Sequence, residues 1–201
     1  MFRSLFVFVI AVLAAPLQAE PVQVQLVRLD AGSALTAVVK HFGWLEAAGL
    51  QVEWAKAGQV ADFAVAEDQA AIAARAAGKP VKAIYVVSRA VAGDAAQYLV
   101  VAEGLLAQRG EEARVVLANL ERARHWINAD RAAAEALVGA VVRDHNFSGS
   151  RPGPAQLASL KKLARANGLD EQLGAALLDD SAYRAALMQP RPERLAALSR
   201  P

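Results

Sequence analysis

The residue types that could do chemistry are sparse and scattered. The sequence has three histidines and no cysteine. Without a thiol there is no thiolate nucleophile, disulfide, cysteine-held zinc, iron–sulfur cluster or lipidated N-terminal cysteine. His41, His125 and His145 stand far apart, each within a predicted helix among polar neighbours. They read as solvated side chains rather than as metal ligands. Ser33, Ser88 and Ser148 lack both a nearby His–acid arrangement and a glycine-flanked elbow. Glu111-Glu112 and Asp179-Asp180 are adjacent pairs. Adjacent side chains diverge on a helix, so neither pair makes a good acid–base dyad. Gly78-Lys79-Pro80 lacks the earlier glycine and the following hydroxyl of a phosphate loop, and no strand leads into a dinucleotide glycine pattern. Asn146-Phe147-Ser148 fits the glycosylation triplet, a weak match on its own. The residues point to no catalysis, no metal and no cofactor.

One feature has a physical mechanism. Residues 26–33 read as a strand, a turn through Gly32 and a helix N-terminus at Ser33. Free amides at such an end, with the helix dipole behind them, favour an anion. Gly32 would let a ligand approach the backbone. Equally, Ser33 could serve only to cap its own helix.

The elements that would hold this turn follow from hydrophobic period. Residues 22–27 alternate apolar and polar, a strand signal. Leu35, Val38, Val39, Phe42 and Leu45 recur at helical spacing, and Gly49 is placed to close that helix. Residues 51–55 and 62–66 read as strands, 68–77 as an alanine-rich helix, and 83–87 and 98–102 as further strands. Strands alternating with helices predict an α/β fold with a small, mostly parallel sheet and flanking helices. The second half reads as helical. Val116, Leu120, Ala123 and Ile127 form one stripe with Trp126 beside it, and Asp130 is a candidate N-cap for the stripe Ala134, Leu137, Val138, Val141 and Val142. Residues 147–154 carry the linker signal Ser-Gly-Ser-Arg-Pro-Gly-Pro, and three shorter helices follow before a proline-rich end. Trp44, Trp54 and Trp126 are expected in the core.

Length, charge and the N-terminus complete the picture. At 201 residues, 55% hydrophobic and 21% charged, the chain is long enough for one domain or two very small ones and is not of disordered composition. A formal net charge of +2 gives no reason to expect a nucleic-acid partner. Arg3, the apolar run 5–15 and Ala19 follow the order of a secretory signal. The run is too short to span a bilayer, which takes about 20 residues. Export with cleavage near Ala19, and a periplasmic location, are expected.

Three stretches resemble a known family. AVVKHFGWLEAAGLQVEW at 37–54, GQVADFAVAEDQAAIAARAAGKPVKAIYVVS at 58–88 and QYLVVAEGLLAQRGEEARVVLANLERARHWINADRAAAEALV at 97–138 are similar, in that order, to segments of periplasmic substrate-binding proteins of nitrate/sulfonate/taurine ABC importers. The resemblance implies a lobe over residues 20–146 and binding of a small oxyanion without catalysis. It implies an ABC permease as partner and membrane contact only through that transporter. By position it carries ligand contacts onto Ala31, Gly32 and Ser33, onto Glu67, Asp68 and Gln69, and onto Ser88. The family has a second lobe, and here residues 89–96 stand where it would be inserted. The chain thus resembles one trimmed lobe, with residues 147–201 as linker and helical tail. That tail is faintly similar to helical segments of DsbA-like oxidoreductases, an activity the absence of cysteine excludes. The alternative is a periplasmic interaction module that keeps the lobe but binds a protein or a second copy of itself as a homodimer.

Overall fold

A computed structural model describes residues 26–56 and 59–188. The expected leader, residues 22–25 of the first expected strand and the proline-rich end lie outside the described residues. Strand β1 (Leu26–Asp30) buries Val27 and Leu29 and turns Leu26 and Arg28 outward, as alternation requires. It pairs in parallel with β2 (Gln51–Ala55). A parallel bridge from Leu29 to Phe63 then brings in β3 (Ala64–Glu67). Strands β4 (Val81–Ala90), β5 (Ala96–Ala102) and β6 (His145–Asn146) complete a second sheet, of order β3-β5-β4-β6.

The mixed α/β class stands, with small sheets and flanking helices, but strand direction is corrected. Every pairing in the four-stranded sheet is antiparallel. Residues 91–95, the whole connection from β4 to β5, hold no helix. So short a link can close only an antiparallel pair, whereas a parallel one needs a crossover of about a dozen residues. Because β5 is reversed between β3 and β4, strands β1, β2, β3 and β4 all run the same way. Their C-terminal ends share one edge of the molecule.

Helix α1 (Ala34–Phe42) does not run on to Gly49 as expected. Gly43, at φ 60, takes the left-handed conformation and ends it, and α2 (Trp44–Ala47) restarts at once. Helix α3 (Asp68–Ala76) lies where expected. Short α4 (Glu103–Gln108) precedes the long α5 (Gly110–Ala129). Asp130 caps α6 (Arg131–Val138), its Oδ1 accepting from Ala133 N–H at 2.9 Å. Gly139 separates α6 from α7 (Val141–Asp144), so that apolar stripe belongs to two helices. His145 is on β6 rather than on a helix.

Two apolar layers flank the antiparallel sheet. In β5, Leu99 and Val101 face α1, α5 and α6, while Tyr98 and Val100 face α3 and the C-terminal helices. Of the C-terminal helices, α8 (Pro154–Ala166) and α9 (Glu171–Leu177) lie on this second face, while α10 (Ser181–Tyr183) and the π-helical turn it runs into, Arg184–Met188, pack against the first. A register shift between Ala83 and Tyr85 lets both Ile84 and Tyr85 face the first layer.

The stretch that reads as a linker is packed. Phe147 and Ser150 are buried, and Ser150 O accepts from Val86 N–H at 2.8 Å. Asp179 N–H donates to Ala83 O at 3.0 Å and Lys82 Nζ to Ala176 O at 2.7 Å. Helices α8 and α9 meet where α9 has no side chain: a Cβ on Gly174 would lie 3.0 Å from Leu160 C and Lys161 N.

Candidate functional site

The residues singled out by sequence gather along the common edge in two groups. The first is the turn into α1. Ser33 is a working cap: Thr36 N–H donates to Ser33 Oγ at 3.1 Å, and Ser33 N–H donates back to Thr36 Oγ1 at 3.1 Å. Gly32 N–H donates to Asp30 Oδ1 at 2.6 Å, and Asp30 Oδ2 lies 3.4 Å from Val65 N. Two amides of this turn therefore already serve protein acceptors, and one acceptor is a carboxylate. Ala31 lines a hollow of about 530 Å³ with Lys40, His41 and Leu137.

The second group lies at the ends of β3 and β4. Glu67 stands opposite Gln97, which stands opposite Ser88, so the three form a row across the sheet. Ser88 is buried, and its Oγ donates to Gln97 Oε1 at 2.9 Å. Asp68 opens α3; its Oδ1 accepts from Gln69 N–H at 2.7 Å and its Oδ2 from Ala96 N–H at 3.4 Å. Asp68 and Gln69 line a hollow of about 340 Å³ shared with Asp94, Ser159 and Lys162. Next to it, around the end of β4, is a hollow of about 320 Å³ that includes Arg89, Tyr98 and Gln156.

Sequence reading missed Arg89, Gln156, Ser159 and Lys162. The one local signal was Arg89, a charge ending an apolar strand. The others reach the edge only because α8 folds back over the sheet.

The polar groups away from this edge are structural. Tyr85 Oη donates to Glu121 Oε2 at 3.0 Å, and Arg124 Nε donates to Glu121 Oε1 at 3.1 Å. Burial raises the Glu121 carboxyl, but Arg124 and its other hydrogen-bond partners outweigh burial and hold it below its ordinary value. Burial first, then the Glu121 charge, push the Tyr85 phenol well up. No three His, Asp or Glu among the described residues form a metal-holding group. No helix among them is long and apolar enough to cross a membrane.

The three tryptophans are only partly buried, which corrects their expected core placement. Trp44 stacks on Phe42 at 4.9 Å, Trp126 meets Phe42 edge-on at 5.3 Å, and Arg122 lies 4.0 Å over Trp44. They form an aromatic ledge where α1, α2 and α5 meet, with Phe42 itself 41% exposed.

No family model matches the sequence, and no curated protein does. Solved structures do. A protein from Bordetella bronchiseptica RB50 superposes with a TM-score of 0.62 at 12% identity, over 80% of this chain and 96% of that one. The alkanesulfonate-binding protein SsuA from Xanthomonas axonopodis pv. citri, bound to MOPS, gives 0.57 at 13% identity, over 77% and 98%. The periplasmic aliphatic sulphonate binding protein SsuA from Escherichia coli gives 0.52 at 12% identity, over 83% and 92%. The chain therefore has a periplasmic-binding-protein fold. At such identity the likeness speaks for the fold alone.

Proposed function

We propose that the chain is an exported solute-binding protein that captures a small oxyanion, of the sulfonate, nitrate or taurine kind, and presents it to an ABC importer without bond chemistry. The observation that carries this reading is the fold shared with two sulfonate-binding proteins, together with the polar edge where four co-directional strands end. Ala31, Gly32 and Ser33, Glu67, Asp68 and Gln69, and Ser88 all fall on that edge. We read the chain as one lobe of such a protein. One wall buries less of a ligand than a closed cleft does, so affinity is expected near millimolar, about −4 kcal/mol. The test is a thermal melt of the secreted protein in sodium methanesulfonate, ethanesulfonate or nitrate against chloride at equal ionic strength. At ten times the dissociation constant, binding raises stability by about 1.4 kcal/mol. Identical melting curves in all four salts would contradict the proposal.

The aromatic ledge favours a second reading, an interaction module. Phe42 is exposed beside Trp44 and Trp126, side chains that commonly anchor protein interfaces. Under that reading the chain self-associates through the ledge, and Phe42→Ser would abolish a homodimer seen by analytical ultracentrifugation.

A further inference from the structure

The reading above leaves open where the anion sits. Around the end of β4 several hydrogen-bond donors converge from four elements, β4, β5, β6 and α8. Arg89 is the next-to-last residue of β4, and Asn146 stands opposite it on β6. Tyr98 comes from β5 across the sheet, and Gln156 and Ser159 come from α8.

The amides are turned by their own bonds. Asn146 Oδ1 accepts from Ser148 N–H at 2.8 Å, which leaves its NH₂ group as the free end. Gln156 Oε1 accepts from Gly153 N–H at 3.0 Å, with the same result, and Gln156 is buried. Tyr98 is 1% exposed, and no described residue accepts from its hydroxyl. Burial first, then the Asp68 charge, raise that phenol to about 12, so it stays protonated and a donor. No described carboxylate pairs with Arg89. Its guanidinium instead runs past Gly149, where a Cβ would lie 3.6 Å from Nη2. None of these donor atoms is among the described side-chain atoms sealed from solvent without a partner, so their free ends open onto the hollow.

The opposing charges are accounted for. Asp94, also on the rim, is exposed and stands 3.7 Å from Lys162 Nζ. Asp68 lies outside this hollow and is engaged by Gln69 N–H and Ala96 N–H. The lining thus holds one guanidinium and several neutral donors, with its one carboxylate, Asp94, exposed on the rim and facing Lys162, an arrangement that suits a compact group bearing several oxygens and a negative charge.

We infer that the oxyanion is seated in the hollow at the end of β4, with Arg89 as its counter-charge and Tyr98, Asn146, Gln156 and Ser159 as its donors. This rests on the solute-binding reading and differs from it in place: the seat is not the turn into α1, whose Gly32 amide faces Asp30. Sulfonate, sulfate, phosphate and nitrate share the required chemistry.

Calorimetric titration of the full secreted chain with each of those four anions, as sodium salts, separates them by affinity. The same titrations on Arg89→Gln and Tyr98→Phe test the seat. Arg89→Gln is expected to weaken the preferred anion at least tenfold and Tyr98→Phe about threefold, with the Tyr98→Phe melting temperature unchanged. Tyr98→Phe keeps the ring and removes only a hydroxyl without a described partner, so it carries the test even if Arg89→Gln does not fold. Wild-type binding that survives undiminished in Tyr98→Phe and in any folded Arg89→Gln protein would overturn the seat and leave the solute-binding reading standing. No heat from any of the four anions on the wild type would overturn both.

Discussion

Asp30 governs the turn into α1. Its Oδ1 takes the Gly32 amide at 2.6 Å, and a Cβ on Gly32 would come within 2.8 Å of that same oxygen. Gly32→Val must therefore displace the carboxylate and break the bond. A loss of about 0.5–1.5 kcal/mol is expected, the net worth of one hydrogen bond whose exposed amide water can still reach, and denaturant unfolding would measure it. A second residue-scale consequence concerns pH. Glu121 is held below its ordinary value of 4.5 in the folded protein. Its contribution is present above pH 4.5 and is lost as pH falls through the lower, folded value, because the unfolded chain then binds the extra proton. Glu121→Gln should flatten the fall of stability with pH below 4.5. Acid unfolding curves of the two proteins check this, and equal slopes would refute it.

At this scale the Ser33 cap was legible as one of two readings, because a serine at a helix start is a local capping signal. Whether the turn serves a ligand was not, since Asp30 meets Gly32 and Val65 only in the fold. The donors around Arg89 were invisible for a similar reason. They converge from distant stretches, and the two amides are aimed by bonds to Ser148 and Gly153.

Elements were legible in kind but not in direction or continuity. Hydrophobic pattern, alternating in β1 and β2 and unbroken in β4 and β5, marked every strand of the sheet edge except the two-residue β6. It says nothing of strand direction, which the helix-free connection 91–95 decides. Gly43 ends α1 six residues before the glycine taken as its cap, because any glycine can take the left-handed turn. The α8–α9 contact is a sharper test of element packing. Glycine to alanine normally favours a helix by about 1 kcal/mol. At Gly174 the added carbon meets the α8 backbone at 3.0 Å, so Gly174→Ala should instead destabilise by about 1–3 kcal/mol. A raised melting temperature would show that the helices stand further apart. Trp126→Ala should cost about 1–2 kcal/mol, less than the ~3–5 of a fully buried aromatic, because Trp126 only lies against the core edge.

At the scale of the whole molecule, residues 147–188 do not trail from the α/β unit but pack on both sides of its sheet, through Leu160, Ala164 and Leu177 on one side and Phe147 and Ala186 on the other. That placement carries Gln156 and Ser159 to the edge where β1, β2, β3 and β4 end. It also explains how a chain with no motif for chemistry can still hold a polar hollow. Export belongs to this scale too: the secreted protein is expected to have lost residues 1–19, which its intact mass would show. The most direct test of solute capture is an NMR titration of the ¹⁵N-labelled secreted chain with methanesulfonate up to tens of millimolar, a range set by millimolar affinity. Saturable amide shifts confined to the strand-end edge, centred on 88–98 and 146–159, are predicted. Shifts that never saturate, or that gather on the aromatic ledge around Phe42, would contradict it.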